Sequence, residues 1–366
     1  MAAPPPLETE VSRRIAAAGP ISVAEYMALC LGDPQYGYYT TRDPFGARGD
    51  FITAPEVSQM FGELIGLWMA AVWQQMGSPK PVRIVELGPG RGTLMADALR
   101  AMKVAPGLRE AITVHLIEIS PLLRAKQEQA LETAGVPVLW HASLSDVAEG
   151  PALVVANEFF DALPVHQAVK REGGWHERRV GIDESGKLQF ILTPEPLENF
   201  DLALPGRLRG APTGAMFEWR DAQIAQTLGQ RIAKGGAALV IDYGHAQSGF
   251  GDTLQAMRTH AYADPLDAPG ELDLTAHVDF ERLMQGAREG GAATFGPLEQ
   301  GAFLRRLGIA HRAAKLKANA TPAVAADIDA ALARLTGSGP KEMGALFKVV
   351  AFADAKLGVL PGFELQ

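Results

Sequence analysis

The sequence predicts an α/β fold: a mostly parallel sheet with helices on both faces, a helical region before it and a β meander inserted into it. Three observations carry this. From Pro81 onward, short β-branched runs alternate with helical segments, which requires crossover connections and hence parallel strands buried on both sides. The first of these runs ends in a glycine-rich loop that leads into a helix. At 366 residues, 47% hydrophobic and 21% charged, the chain is too apolar for disorder and longer than one minimal domain.

Residues 1–78 read as helical, with one Gly/Pro/aromatic loop from Gly32 to Pro55. Thr53-Ala54-Pro55-Glu56 reads as a capping box with proline in the first turn, opening a helix to about Met76. Its apolar positions, among them Phe61, Leu64, Ile65, Trp68 and Val72, surround most of the cylinder, so burial is expected. Residues 79–366 are the sheet domain. Strands are expected at Val82–Leu87, Thr113–Ile117, Val136–Trp140, Leu153–Ala156, Ala238–Ile241 and Phe347–Phe352, and helices at Thr93–Lys103, Pro121–Ala134 and Phe217–Ala233. Over about residues 166–215 polar and apolar residues alternate, with turn signals at Gly173-Gly174 and Glu184-Ser185-Gly186-Lys187, so an antiparallel meander is expected. A second insertion, about residues 250–298, reads as irregular and acidic. Insertions that follow strands lie at the carboxyl edge of such a sheet, where ligands bind, so both are expected to form a substrate-facing subdomain.

Composition excludes several function classes. The 34 Lys and Arg against 42 Asp and Glu leave a net charge of −8, which disfavours nucleic acid as a partner. One cysteine, Cys30, excludes an internal disulfide and a cysteine-based zinc site, and fits a reducing, bacterial cytoplasm. The start of the chain shows neither a signal-peptide nor a transit-peptide pattern. The longest apolar run, Leu64 to Trp73, falls short of the roughly 20 residues of a membrane span. His245, His260, His277 and Asp279 have no metal-ligand spacing, so no metal is expected.

The sharpest local signal is the segment RIVELGPGRGT, Arg83 to Thr93. Gly88, Gly90 and Gly92 let the backbone turn tightly and approach a ligand, and the N–H groups opening the next helix can hold an anion. The spacing is GxGxG rather than the GxGxxG of nicotinamide-binding loops. Glu86 precedes the first glycine by two positions and would repel a pyrophosphate. Glu118 ends the next strand, placed to accept hydrogen bonds from two ribose hydroxyls. A ligand with a ribose, a cationic amine and a carboxylate but no phosphate meets all three conditions, and S-adenosylmethionine is such a ligand. The alternative is that the glycines only turn the chain and Glu118 caps a surface.

Asn157-Glu158-Phe159-Phe160-Asp161 follows the fourth strand, at the cleft edge where a methyl acceptor would sit. Amino-methyltransferases of bases carry Asn-Pro-Pro-aromatic here; this chain keeps the Asn and an aromatic and substitutes Glu158 for proline. A helical turn would put Glu158 and Asp161 on one face. Two carboxylates can hold a guanidinium by bidentate, charge-assisted hydrogen bonds. Arginine requires such a hold because it is protonated at neutral pH and must lose a proton as a methyl is transferred. Asp161 fits a capping role before Pro164 equally well. Asp242, ending the fifth strand in Ile241-Asp242-Tyr243-Gly244, is a third candidate acid and equally a turn former.

With these residues assembled, the chain resembles the MidA-like family, which includes the mitochondrial complex I assembly-factor protein arginine methyltransferase. The matching blocks are GDFITAPEVSQMFGELIGLW (Gly49–Trp68), VELGPGRGTLMAD (Val85–Asp97), NEFFDALPVHQ (Asn157–Gln167), IDYG (Ile241–Gly244) and LTAHVDF (Leu274–Phe280). The resemblance implies a class I, Rossmann-like S-adenosylmethionine-dependent methyltransferase with a protein substrate. From the mitochondrial members it implies symmetric dimethylation of an arginine in a complex I core subunit. Residue by residue, it implies that Glu86, Gly88, Gly90 and Gly92 hold the amino-acid end of the cofactor, with Asn157 beside them, and that Glu118 holds the ribose. His141 to Asp146 would lie near the adenine. Gly49–Ser58 would close as a lid, Thr53 and Ser58 making polar contacts or else only capping. Glu158, Asp161 and Asp242 would be the catalytic acids, a departure from arginine methyltransferases that use two glutamates on one hairpin. Two rival readings remain: an RNA or small-molecule amine methyltransferase, and a non-enzymatic cofactor-binding assembly factor. The sequence does not give the oligomeric state.

Overall fold

The computed structural model describes residues 6–42, 52–258 and 261–364. By its internal packing the described chain forms two compact units, one from residues 1–44, 161–221 and 247–279, the other from residues 45–160, 222–246 and 280–366.

The larger unit is built on strands β1 (Val82–Leu87), β2 (Ile112–Ile117), β3 (Val138–His141), β4 (Ala152–Asn157), β5 (Gly236–His245), β6 (Ala293–Glu299) and β7 (Phe347–Ala353). They lie side by side in the order β6-β7-β5-β4-β1-β2-β3. Pairing is parallel from β3 through β5, and β7 runs antiparallel to both of its neighbours. The strand order reverses between β1 and β4, which opens a crevice at their carboxyl ends. Every residue of β4 is buried, as a strand covered on both faces requires.

On one face lie α1 (Gln59–Gln75) and α2 (Thr93–Met102), whose Phe61, Trp68 and Leu94 share a core with Ile84, Val114 and Leu153 of the sheet. The other helices of this unit include α3 (Pro121–Leu131), α4 (Gln223–Ile232) and α5 (Phe280–Glu289). The last two pack closely enough that a Cβ on Gly229 would sit 2.3 Å from the Ala287 carbonyl oxygen.

The smaller unit contains an antiparallel sheet. Its strands His166–Arg171, Gly174–Ile182 and Leu188–Leu192 form the expected meander. Helices Pro6–Ala18 and Val23–Gly32 bury Val11, Tyr26 and Met27 in one cluster with Val180 and Leu274. The second helix opens with a capping box in which Ser22 and Glu25 exchange hydrogen bonds.

Three elements differ from expectation. The helix expected from Thr53 to about Met76 is broken at Ser58, whose backbone is extended, into Ala54–Val57 and α1. The helix expected at Phe217–Ala233 begins only at Gln223, because Met216–Trp219 is a strand paired with His166–Arg171. The second insertion is more regular than it reads: Gln255–Arg258, Ala261–Ala263 and Asp273–Thr275 form a small antiparallel sheet, and Phe280 opens α5. No helix among the described residues is long and apolar enough to cross a membrane.

Candidate active site

The crevice at the ends of β1 and β4 begins with the glycine loop. Gly88, Gly90 and Gly92 have φ of +62°, +53° and +83°, the left-handed region that strains any residue with a Cβ. The Gly92 N–H closes the turn onto the Pro89 carbonyl at 2.8 Å, and α2 starts at the next residue. A Cβ on Gly88 would lie 2.8 Å from Cδ2 of Phe159, so the loop and the segment after β4 also meet here.

Three oxygen-bearing side chains converge. Glu86 is 3% exposed, and its Oε2 has no hydrogen-bond partner among the described residues. Burial pushes this carboxyl up to about 8. Asn157 ends β4 and is 8% exposed; its Nδ2 donates to Glu158 Oε1 at 2.9 Å, and its Oδ1 has no partner among the described residues. Glu158 stands at φ +50°, a conformation that costs a non-glycine residue energy and that surrounding structure must enforce. Its Oε1 also accepts the Ala54 N–H at 3.0 Å.

Asp242 supplies that enforcement. It is fully buried at the end of β5, and Oδ2 accepts the N–H groups of Phe159 at 3.1 Å and Phe160 at 2.9 Å. Oδ1 accepts the Tyr243 N–H at 2.9 Å. The carboxylate thus accepts three backbone N–H groups and shapes the turn that presents Glu158.

Glu86, Gly88, Gly90, Asn157 and Glu158 line an open cleft of about 390 Å³, solvent included, together with Thr53, Pro55 and Glu56. Thr93 donates to Glu56 Oε1 at 2.6 Å, and the Arg91 guanidinium lies 4.0 Å from Oε2 of the same carboxylate.

Glu118, 7% exposed at the end of β2, accepts the Ser120 N–H on Oε1 at 2.8 Å and the Gln127 amide on Oε2 at 3.0 Å. Burial nevertheless holds its carboxyl above the usual range. Sequence reasoning misses Gln127 and Glu56. The first lies on a helix whose exposed polar residues hide one buried polar position, and the second reads only as half of a capping box.

Several expectations require correction. Residues 158–161 form no helical turn, because Glu158 is left-handed, so the one-face argument for Glu158 and Asp161 does not hold. Asp161 belongs to the smaller unit, where its carbonyl accepts the Ala276 N–H at 3.1 Å. Thr53 makes no side-chain cap, the Glu56 N–H donating to its carbonyl at 2.9 Å instead, and the Glu56 side chain, the other half of the expected capping box, is turned to Thr93. Ser58 ends the short helix Ala54–Val57 and caps α1 through the Met60 N–H at 3.2 Å, and it is not among the residues lining the cleft. Residues 49–51 of the expected lid, and His260, lie outside the described residues. Among the described residues no cluster of three or more His, Cys, Asp or Glu is arranged to hold a metal ion.

Comparison with known proteins agrees with this crevice. A family profile described as "Putative S-adenosyl-L-methionine-dependent methyltransferase" matches residues 64–298. The chain is 38% identical over 377 residues to "Protein arginine methyltransferase NDUFAF7 homolog, mitochondrial" of Drosophila melanogaster, covering 94% of this chain and 84% of that one. It is 40% identical over 333 residues to "Protein arginine methyltransferase NDUFAF7, mitochondrial" of Homo sapiens, covering 83% and 74%. The crystal structure of a Burkholderia thailandensis protein bound to S-adenosyl-homocysteine superposes with a TM-score of 0.84 at 30% identity, covering 99% of this chain and 97% of that one.

Proposed function

The chain belongs to the family of S-adenosyl-L-methionine-dependent methyltransferases, and we propose that it methylates an arginine side chain in a protein substrate. The observation that supports a cationic acceptor such as arginine is the Glu158 carboxylate in the cleft, beside further acceptors whose hydrogen-bonding capacity is unmet. Glu86 Oε2 and Asn157 Oδ1 are buried acceptors with no donor among the described residues, and both line the cleft that Glu158 also lines. Buried acceptors without donors are costly, so the cleft calls for a ligand rich in N–H or O–H groups.

The cofactor and the acceptor divide these groups between them. Glu86 fits the cofactor's ammonium, and the left-handed glycines leave the loop bare enough for its amino-acid end to approach. Glu118 has acceptor capacity left for a ribose diol beyond its protein donors Ser120, Ile119 and Gln127, since two carboxylate oxygens offer about four lone-pair sites. Bound S-adenosylmethionine supplies an electrophilic methyl group on a sulfonium. Glu158 would orient the guanidinium in the cleft and take its proton as the N–C bond forms and the methyl–sulfur bond breaks, which leaves the neutral thioether S-adenosylhomocysteine. Asp242 holds Glu158 in its left-handed turn, and Thr53 and Pro55 help to wall off water. Asp161 enters this proposal only as a neighbour in sequence.

A heterocyclic amine is the poorer acceptor for this site. It would need Asn157 with a stacking aromatic, and here the Asn157 amide is turned toward Glu158. Following the family resemblance, we extend the proposal to a complex I subunit as the protein acceptor. The test is transfer from radiolabelled S-adenosylmethionine into a lysate of cells lacking the protein, followed by digestion and amino-acid analysis. Label in dimethylarginine supports the reading, whereas label in RNA, or in no macromolecule at all, sinks it.

A further inference from the structure

Behind the glycine loop sits a residue that this reaction scheme leaves unused. Gln127 projects from α3 and is 0% exposed. Its Nε2 donates to the Gly90 carbonyl at 2.7 Å and to Glu118 Oε2 at 3.0 Å, and its Oε1 accepts the Trp140 indole N–H at 2.9 Å. The partners fix the amide's orientation. Turned over, the oxygen would face a carbonyl and a carboxylate, and the NH₂ would meet an N–H.

One buried amide thus ties together three segments: the loop after β1, the end of β2 and strand β3. Each has a reason to need the tie. Gly90, at φ +53°, lacks the side-chain sterics that would otherwise set its carbonyl direction. Glu118 lies where β2 ends, and Gln127 is the side-chain donor to its carboxylate, beside the backbone N–H groups of Ser120 and Ile119. The loop also packs directly on α3, since a Cβ on Gly92 would lie 3.3 Å from the Gln127 Cα.

We propose that Gln127 is a positioning residue for the nucleoside end of the cofactor, setting the Glu118 carboxylate relative to the glycine loop through a single amide. This rests on the assignment of Glu118 to the ribose made above. Gln127 itself touches no ligand, because its two amide hydrogens and its oxygen are all engaged within the protein.

The experiment uses two near-isosteric variants of the full chain and reads calorimetric Kd values for S-adenosylhomocysteine and for methylthioadenosine, which lacks the amino-acid end. Gln127→Met removes all three hydrogen bonds. It is expected to weaken both ligands by a similar factor, about tenfold, the usual loss when a charged acceptor gives up a donor. Without that donor Glu118 ionises less readily, so affinity in this variant should recover as the pH rises. Gln127→Glu keeps the acceptor for Trp140 but sets a second carboxylate against Glu118. Its affinity should recover as the pH falls, when a proton shared by the two carboxyls restores a donor. Arg124, the charged neighbour that donates to the Glu118 carbonyl, is unchanged in both. A loss of packing alone would shift Kd equally at every pH. Binding within about twofold of wild type in Gln127→Glu, or losses without opposite pH trends, overturns the proposal. Failure of the wild-type protein to bind methylthioadenosine while it binds S-adenosylhomocysteine would instead overturn the ribose assignment beneath it.

Discussion

The Glu158 carboxylate accepts the backbone N–H of Ala54 at 3.0 Å, so the acid that follows β4 also fastens the short helix Ala54–Val57 at the wall of the cleft. One side chain therefore serves two ends, and a substitution can separate them. Glutamine in its place keeps an oxygen for the Ala54 N–H but carries no charge and takes no proton. Glu158→Gln is expected to bind S-adenosylhomocysteine within about threefold of wild type and to lose about 100-fold or more in methyl transfer. Titration calorimetry and single-turnover transfer measure the two quantities on one preparation. Transfer near the wild-type rate would remove Glu158 from the chemistry.

Glu86 makes the same cleft pH-dependent. Burial raises its carboxyl from 4.5 to about 8, so between those values the folded, ligand-free protein binds more protons than the unfolded chain. The stability of the ligand-free protein should then fall as the pH rises through that window. An ammonium ligand needs the ionised form, so binding near neutral pH should expel a proton and tighten as the pH rises toward about 8. Calorimetry in buffers of different ionisation enthalpy counts the proton directly. Glu86→Gln should abolish the release, weaken binding and make the ligand-free protein more stable at the alkaline end. An unchanged proton count in that variant would show that some other group is titrating.

Asp242 acts through the turn it holds, with three backbone N–H groups on one carboxylate. In Asp242→Asn, whichever way the amide is turned, an NH₂ group faces at least one of those donors. About 2–3 kcal/mol of stability should be lost, and turnover should fall as Glu158 leaves its strained conformation. This is the opposite pairing to Glu158→Gln, which should cost turnover without stability. Thermal unfolding alongside methyl transfer distinguishes the two roles, and a stable but inactive Asp242→Asn would return Asp242 to the substrate.

The parts of this arrangement readable from the sequence are those fixed locally. The glycine loop and Glu86 are read from residues adjacent in the chain, and β1, β2 and β4 from unbroken β-branched runs. The periodicity of α5, with Phe280, Leu283, Met284 and Ala287 on one face, is equally local, but its polar surroundings make the segment read as irregular. What escapes the sequence is the long-range pairing. Met216–Trp219 becomes a strand only because His166–Arg171 lies beside it, and the same residues read naturally as the first turn of α4. Asp242 reads equally as a candidate acid and as a turn former, because two of the three amides it binds are 82 and 83 positions away. Gln127 shows no signal at all, because its three partners come from three separate segments.

The rear wall of the site depends on how closely two helices approach. On α1, a Cβ added at Gly66 would sit 2.4 Å from the Ala98 carbonyl oxygen of α2, a distance that no side-chain motion can relieve. Alanine is the better helix former by about 1 kcal/mol, so propensity alone predicts a more stable protein. Overpacking works the other way and should win, leaving Gly66→Ala less stable by about 1–3 kcal/mol in urea unfolding. Gln74→Ala, on the exposed side of the same helix, should stay within about 0.5 kcal/mol of wild type. Because Gly92 is the N-cap of α2, pushing that helix away from α1 also moves the end of the glycine loop, so Gly66→Ala should weaken S-adenosylhomocysteine binding although it lies far along the helix from any ligand contact. Unchanged affinity in a destabilised Gly66→Ala would mean that the loop is held from the Gln127 side alone, and a stabilised variant would mean that the helices are not in such close contact.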